Sequence, residues 1–161
     1  MTRPITISTH GGAAFTQSFG RSLGLALWLS LGFTSTLFGG ITGQNVVVGS
    51  ATFIPTPNGW IIIPTSGTII EYASFGVNAN ETIKFLQSGA NARVLNRVLG
   101  DLPTNIDGQL LSNGIVYITN PAGVFIGPSG VVNVGGIYAA AGSISNTDFA
   151  NGENTFSNMQ G

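Results

Sequence analysis

The sequence contains no cysteine, a single histidine, His10, and only five Lys or Arg among 161 residues. Without thiols there is no disulfide framework, no thiolate nucleophile and no cysteine-based metal site. One histidine excludes a His-rich zinc centre and a conventional Ser-His-Asp triad. Five basic residues cannot form the patch that neutralises phosphates, so nucleic acid is not an expected partner. Charged residues make up 7% of the chain, against about a quarter in an ordinary globular domain. That excludes a Lys/Glu-rich bundle or coiled coil. Charge-driven disorder is excluded as well, because the net charge is −1 and the mean hydropathy is positive. At roughly 150 residues per domain, the length accommodates one domain and not two.

What is abundant is glycine, with 24 residues, and asparagine, all of it after residue 43. The N-terminal stretch differs in kind: Arg3 and Arg21 are its only charges, and Leu23–Phe38 follows as sixteen mostly apolar residues. A basic flank, an apolar core and a small-residue zone are the three parts of a secretory signal. A spanning helix needs roughly 20 predominantly apolar residues, and this run is shorter and interrupted by Gly, Ser and Thr. Residues 1–43 are therefore expected to be an extended signal peptide that carries His10 away with it. Cleavage is expected after Gly43, with Ile41 in the third place back and Gln44 as the new N-terminus.

From Gln44 to Gly161 the chain reads as strand and turn. Val46–Val48, Thr52–Ile54, Trp60–Ile63, Thr68–Tyr72 and Thr82–Leu86 are short apolar runs separated by Pro55, Pro57, Asn58-Gly59, Pro64 and Gly67. Ala92–Leu99 is compatible with a strand or a short helix. Turn glycines precede apolar residues at Gly114-Ile115, Gly123-Val124, Gly130-Val131 and Gly136-Ile137, and 22 residues separate Gly114 from Gly136. Three short strands that return to their start after about 22 residues describe one coil of a β-solenoid, which buries its apolar face only by stacking. An antiparallel sandwich is the alternative, though its turn signals come at about 8–12 residues. Glycine at the corners supplies positive φ. About five such coils would fit in residues 44–161, a stack of roughly 25 Å at ~4.8 Å per coil.

Three runs carry a resemblance: Asn96-Arg97-Val98-Leu99-Gly100, Ile106-Asp107-Gly108-Gln109-Leu110, and Asn113 through Val124 with its Asn120-Pro121-Ala122-Gly123 core. With Ile70-x-Tyr72-x-x-Phe75-x-Val77 before them and Val132 to Ile137 after, they resemble the filamentous haemagglutinin N-terminal domain. This is the secretion (TPS) domain of two-partner secretion exoproteins, with Asn-Pro-x-Gly as its signature. The resemblance implies an all-β fold, a right-handed parallel β-helix of the pectin-lyase-like type, in a Gram-negative exoprotein. It implies export by the general secretory translocon, then engagement of an outer-membrane transporter through periplasmic POTRA-type domains. The product would be secreted or held at the cell surface, where a passenger of adhesin type contacts host or neighbouring cells. Asn120, Pro121 and Gly123 are the family-motif residues, and Lys84, Arg93 and Arg97 are candidate transporter contacts because all three fall within fourteen positions. A second family motif, Asn-Pro-Asn-Leu, is absent, and Gln87–Val94 stands in its region. Family domains run beyond Asp148–Gly161, so the chain is expected to be a truncated form.

A polysaccharide lyase or hydrolase on a β-helix is the rival reading. Such enzymes need clustered carboxylates for acid–base work or for Ca²⁺. The acids here are scattered singly, and the nearest approach to a pair, Asp101 and Asp107, reads as turn capping. Tyr117 and Tyr138 read as strand-face packing. No catalytic residue, cofactor or metal is expected.

Overall fold

The computed structural model describes residues 40–160; His10 and the apolar run Leu23–Phe38 lie outside the described residues. Six strands come first: β1 (Ile41–Thr42), β2 (Asn45–Val48), β3 (Ala51–Thr56), β4 (Gly59–Pro64), β5 (Thr68–Tyr72) and β6 (Ser74–Phe75). Then follow β7 (Thr82–Phe85), β8 (Arg93–Val98), β9 (Thr104–Ile106), β10 (Gln109–Ser112), β11 (Ile115–Thr119) and β12 (Val124–Ile126). The chain continues through β13 (Val131–Asn133), β14 (Gly136–Ala140), β15 (Ser143–Ile144), helix α1 (Asn146–Asn151) and β16 (Phe156–Ser157).

From β4 to β14 the strands stack in parallel as a solenoid of about four turns, apart from β6, which pairs antiparallel with β1. After them β15 and β16 pair antiparallel with each other. One sheet has the order β13-β10-β7-β4-β3 and a second the order β14-β11-β8-β5-β2. A third, narrower face is made by β12 on β9, extended by a parallel bridge from Val77 to Ile106. At the other end β2 and β3 reverse direction, pairing antiparallel with β5 and β4, so that both sheets finish in an antiparallel strand. Two of the expected coils are thereby lost or lengthened. The first strands form no coil, and the step from Thr82 to its partner Gln109 is longer than the step from Gln109 to Val131. The count is four turns, not five.

Period-2 alternation explains which side chains point inward. In β8, Val94 and Val98 join the interior with Ile70, Tyr72, Val116 and Ile118, while Leu95 faces the opposite side. Register stacks like on like: Trp60 lies on Ile83, Ile83 on Leu110, and Leu110 on Val132. Ala92–Leu99 therefore resolves as a strand, since a helix there would have left this sheet without its central member. The glycine ladder also shifts by one: Gly135 N donates to Gly114 O at 2.9 Å, so Gly114 stacks under Gly135 and not Gly136.

The second sheet buries apolar side chains on both faces. Its outer side chains Ile69, Leu95 and Tyr117 are buried under Ile144 and Phe149, contributed by β15 and α1. α1 is six residues long and too short to show a helical periodicity in sequence. Its caps are local chemistry: Ser145 Oγ accepts from Asp148 N at 3.0 Å, and Gly152 ends the helix at φ +80°. One sequence expectation meets the fold awkwardly. Ile41 is a buried core residue and its strand β1 pairs with β6, although β1 precedes the Gly43–Gln44 bond at which the leader was expected to end.

Candidate functional site

The Asn-Pro-Ala-Gly segment joins β11 to β12 as a tight turn. Gly123 N donates to Asn120 O at 2.9 Å, and Asn120 Oδ1 accepts from Ala122 N at 2.9 Å. Proline fixes φ in the second place of such a turn and needs no donor there. Gly123 has φ +107°, a conformation that a Cβ resists, and an added Cβ would lie 2.8 Å from the Phe125 ring. The signature is therefore first a backbone requirement.

Asn120 does more than close its own turn. It is fully buried, and its Nδ2 donates to Leu102 O at 3.0 Å and to Thr104 Oγ1 at 3.1 Å on the preceding coil. Thr104 N in turn donates to Gly123 O at 2.9 Å. Pro121 and Ala122 are exposed at the tip. Leu102 and Phe125 beside them are also exposed, at 71% and 56%, so the anchored turn carries an apolar tip into solvent.

The three basic residues do not converge. Lys84 is exposed on the outer face of the first sheet, whereas Arg93 and Arg97 belong to the second. Arg97 Nη1 pairs with Glu71 Oε1 at 3.0 Å, and its Nη2 donates to Ile144 O at 2.9 Å and Asn146 Oδ1 at 2.7 Å. Arg93 lies over the Phe149 ring, 5.4 Å from its centroid, with Nη2 at 3.5 Å from Ala150 O. Both arginines thus bind the α1 segment to the sheet it covers. Tyr117 and Tyr138 stack at 4.5 Å on that same face, and Tyr117 Oη donates to Asn154 Oδ1 at 2.8 Å.

Two polar groups within the solenoid escaped the sequence reading. Tyr72 Oη donates to Asn96 Oδ1 at 3.0 Å, while Asn96 Nδ2 donates to Tyr117 O at 3.0 Å. Burial pushes the Tyr72 hydroxyl far above the ordinary phenol value. The available signal was Asn96 itself, two residues from Val94 and from Val98 and so on their face. At another corner, Gln87 N donates to Asn113 Oδ1 at 2.7 Å and Asn113 Nδ2 returns a bond to Gln87 O at 2.8 Å. The Gln87–Val94 region is thereby fastened to the next coil.

Among the described residues no three acidic or histidine side chains are grouped to hold a metal ion. Asp101 lies in the turn after β8 and Asp107 in the turn after β9, where its carbonyl accepts from Ser129 Oγ at 2.7 Å.

A parallel solenoid with an Asn-Pro-x-Gly corner locked to the coil below is matched over residues 42–161 by the model of the TPS secretion domain. The chain belongs to the TPS secretion domain family. It is 39% identical over 98 residues to a heme/hemopexin-binding protein of Haemophilus influenzae strain Rd, covering 60% of this chain and 11% of that protein. A second heme/hemopexin-binding protein of Haemophilus influenzae is 39% identical over 70 residues, 44% of this chain and 8% of its own length. The chain thus matches about a tenth of the length of these relatives. The crystal structure of the HMW1 secretion domain from Haemophilus influenzae superposes with a TM-score of 0.68 at 36% identity, over 70% of this chain and 30% of that one. TPS domains belong to two-partner-secretion exoproteins, which are exported and become secreted or surface-located.

Proposed function

We propose that this TPS domain directs its exoprotein through a dedicated outer-membrane transporter by presenting the Asn120–Gly123 corner to the transporter's periplasmic POTRA-type domains. The observation that carries this reading is the division of labour in the turn. Asn120 and Gly123 face inward and are committed to the coil below, while Pro121 and Ala122 are left exposed beside Leu102 and Phe125. A rigid apolar tip is a suitable recognition element, since it loses little entropy on binding. Export across the inner membrane falls to the general secretory translocon, through the Leu23–Phe38 run. A cysteine-free chain is suited to threading through a barrel, and each coil can template the next as it emerges. The domain acts by binding and folding and not by catalysis, and surface recognition of host or neighbouring cells belongs to a passenger.

Of the three basic residues, Lys84 is the one whose ammonium is exposed, so it is the strongest candidate for an added charge contact. Arg93 and Arg97 would contribute indirectly, through the α1 segment they hold. The test is a pull-down with the transporter's periplasmic domains. Leu102→Ser together with Phe125→Ser should abolish capture while leaving the melting temperature unchanged, and Lys84→Ala should weaken it. Undiminished capture by the double variant would overturn the docking assignment. Cleavage of a polysaccharide by the purified protein, lost on Asp101→Asn with Asp107→Asn, would overturn the non-catalytic reading.

A further inference from the structure

Gly40, Ile41 and Thr42 are integral to the fold. Gly40 O accepts from Gly76 N at 2.7 Å, and Thr42 O accepts from Ala73 N at 2.9 Å. Thr42 Oγ1 lies 2.7 Å from Ser74 Oγ. Ile41 is 5% exposed and pairs with Phe75. A leader cut after Gly43 would take this strand away and open the core beneath it.

Beside Gly40 lies a carboxylate with a missing partner. Glu81 is 8% exposed; its Oε2 accepts from Asn78 N at 2.9 Å, but its Oε1 is buried with no hydrogen-bond partner. Among the described residues no Lys or Arg pairs with it, since the ion pair they form is Arg97 with Glu71. An anion taken out of water needs a cation or donors to offset the lost hydration. A Cβ built on Gly40 would stand 2.9 Å from Oε1 and 3.1 Å from Oε2. In an uncut chain the Gly40 nitrogen is held by the preceding peptide bond. In a chain that starts at Gly40, rotation about the Cα–C bond carries a terminal nitrogen into the place of that missing Cβ, within bonding distance of both oxygens.

We infer that the leader is cut at the Gly39–Gly40 bond and that the α-ammonium released at Gly40 pairs with Glu81. The inference rests on Leu23–Phe38 being an export signal. Cleavage is hydrolysis: water adds at the Gly39 carbonyl carbon, the bond to the Gly40 nitrogen breaks, and the leader departs with a carboxylate. The amine on Gly40 takes up a proton at neutral pH. Gly39 supplies a small residue just ahead of the cut, with Leu37 in the third place back. The new charge then completes the only corner of the core that holds an unpaired acid among the described residues, so leader removal adds an ion pair where β1 already lies on β6.

The full-length gene, expressed with its transporter, yields secreted material whose N-terminus can be read by mass spectrometry and sequential degradation. A first residue of Gly40 is expected. Material that retains Met1 would overturn the export-signal reading itself. Processed material beginning at Gln44, or anywhere other than Gly40, would overturn the cleavage site and leave export standing. On the same secreted protein, the α-amine should titrate above the usual range of about 7.7–8.0, and a wild-type amine within that range would overturn the pairing. In Glu81→Gln the amine should react with an acylating reagent at pH 7.5 about tenfold faster than in wild type, the factor carried by one pKa unit. Equal rates would likewise overturn the pairing.

Discussion

Thr104 is held from above by both ends of one turn: its Oγ1 accepts from Asn120 Nδ2 at 3.1 Å, and its N–H donates to Gly123 O at 2.9 Å. The first and last residues of the Asn-Pro-Ala-Gly signature therefore bond to a residue on the coil beneath. This explains why the motif requires asparagine and not merely a turn former. A serine or aspartate in the first place could cap Ala122 N, but a serine hydroxyl has one donor and a carboxylate none, whereas the amide supplies both N–H bonds to the coil below. The signature is a stacking device whose exposed middle remains free for a partner.

Asn120→Ala should lower stability by about 1–3 kcal/mol, because it strands the buried Thr104 hydroxyl and the Leu102 carbonyl along with the Ala122 amide. Asn120→Asp should do no better, since it keeps the acceptor for Ala122 but faces a carbonyl oxygen with a carboxylate. Urea denaturation of the three proteins checks this. An aspartate variant as stable as wild type would mean that the bonds to the lower coil contribute nothing.

Gly123→Ala should cost at least about 1 kcal/mol from backbone strain at φ +107°, and more from the contact with Phe125. Combining it with Phe125→Leu separates the two. The second change should recover the contact share but not the strain, leaving the double variant below Phe125→Leu alone. Full recovery in the cycle would place the whole cost in the ring contact.

Much of this corner was legible in the sequence, because Pro121 and Gly123 declare a turn and the strands on either side alternate with period two. The solenoid was legible for the same reason, from glycines that recur at intervals of six to nine residues. The antiparallel reversal at β2 and β3 was not, since Val46–Val48 and Thr52–Ile54 look the same whichever way they pair; only the stack they meet decides direction. Nor was the covered outer face of the second sheet. Ile69, Leu95 and Tyr117 are brought into line by register across residues some two dozen positions apart, and the α1 segment that hides them is too short to announce itself. Arg93 and Arg97 looked alike as exposed cations for a related reason: their partners Phe149, Ile144 and Asn146 lie about fifty residues away.

Arg97→Lys should loosen α1 without unfolding the solenoid. The guanidinium spans Glu71, the Ile144 carbonyl and the Asn146 amide at once, a geometry that a point charge on a flexible stem cannot reproduce. The pair is partly solvated, so the global cost should be only about 1 kcal/mol. Hydrogen exchange is the sensitive readout: amides of residues 146–152 should exchange about fivefold to tenfold faster, while those of β8 and β11 hardly change. Equal exchange in α1 would show that Phe149 packing alone retains the helix.

Stability should fall at alkaline pH, and Tyr72 should account for a defined part of the fall. Burial holds its phenol neutral far above the ordinary value of 10.0, and burial together with the neighbouring Tyr138 raises Tyr117 as well. In the unfolded chain both titrate near pH 10. Below that pH folded and unfolded states bind the same protons at these sites, and the stabilisation is complete. Above it the unfolded state has lost protons that the folded state keeps, so unfolding becomes easier as pH rises. The slope is about 1.4 kcal/mol per pH unit for each tyrosine that stays neutral in the fold. Tyr72→Phe should start lower at pH 7, because Asn96 Oδ1 loses its donor, and then decline less steeply between pH 10 and 11. Urea midpoints at pH 7, 10 and 11 give both quantities. Parallel declines in the two proteins would mean that Tyr72 ionises as readily inside the solenoid as outside it.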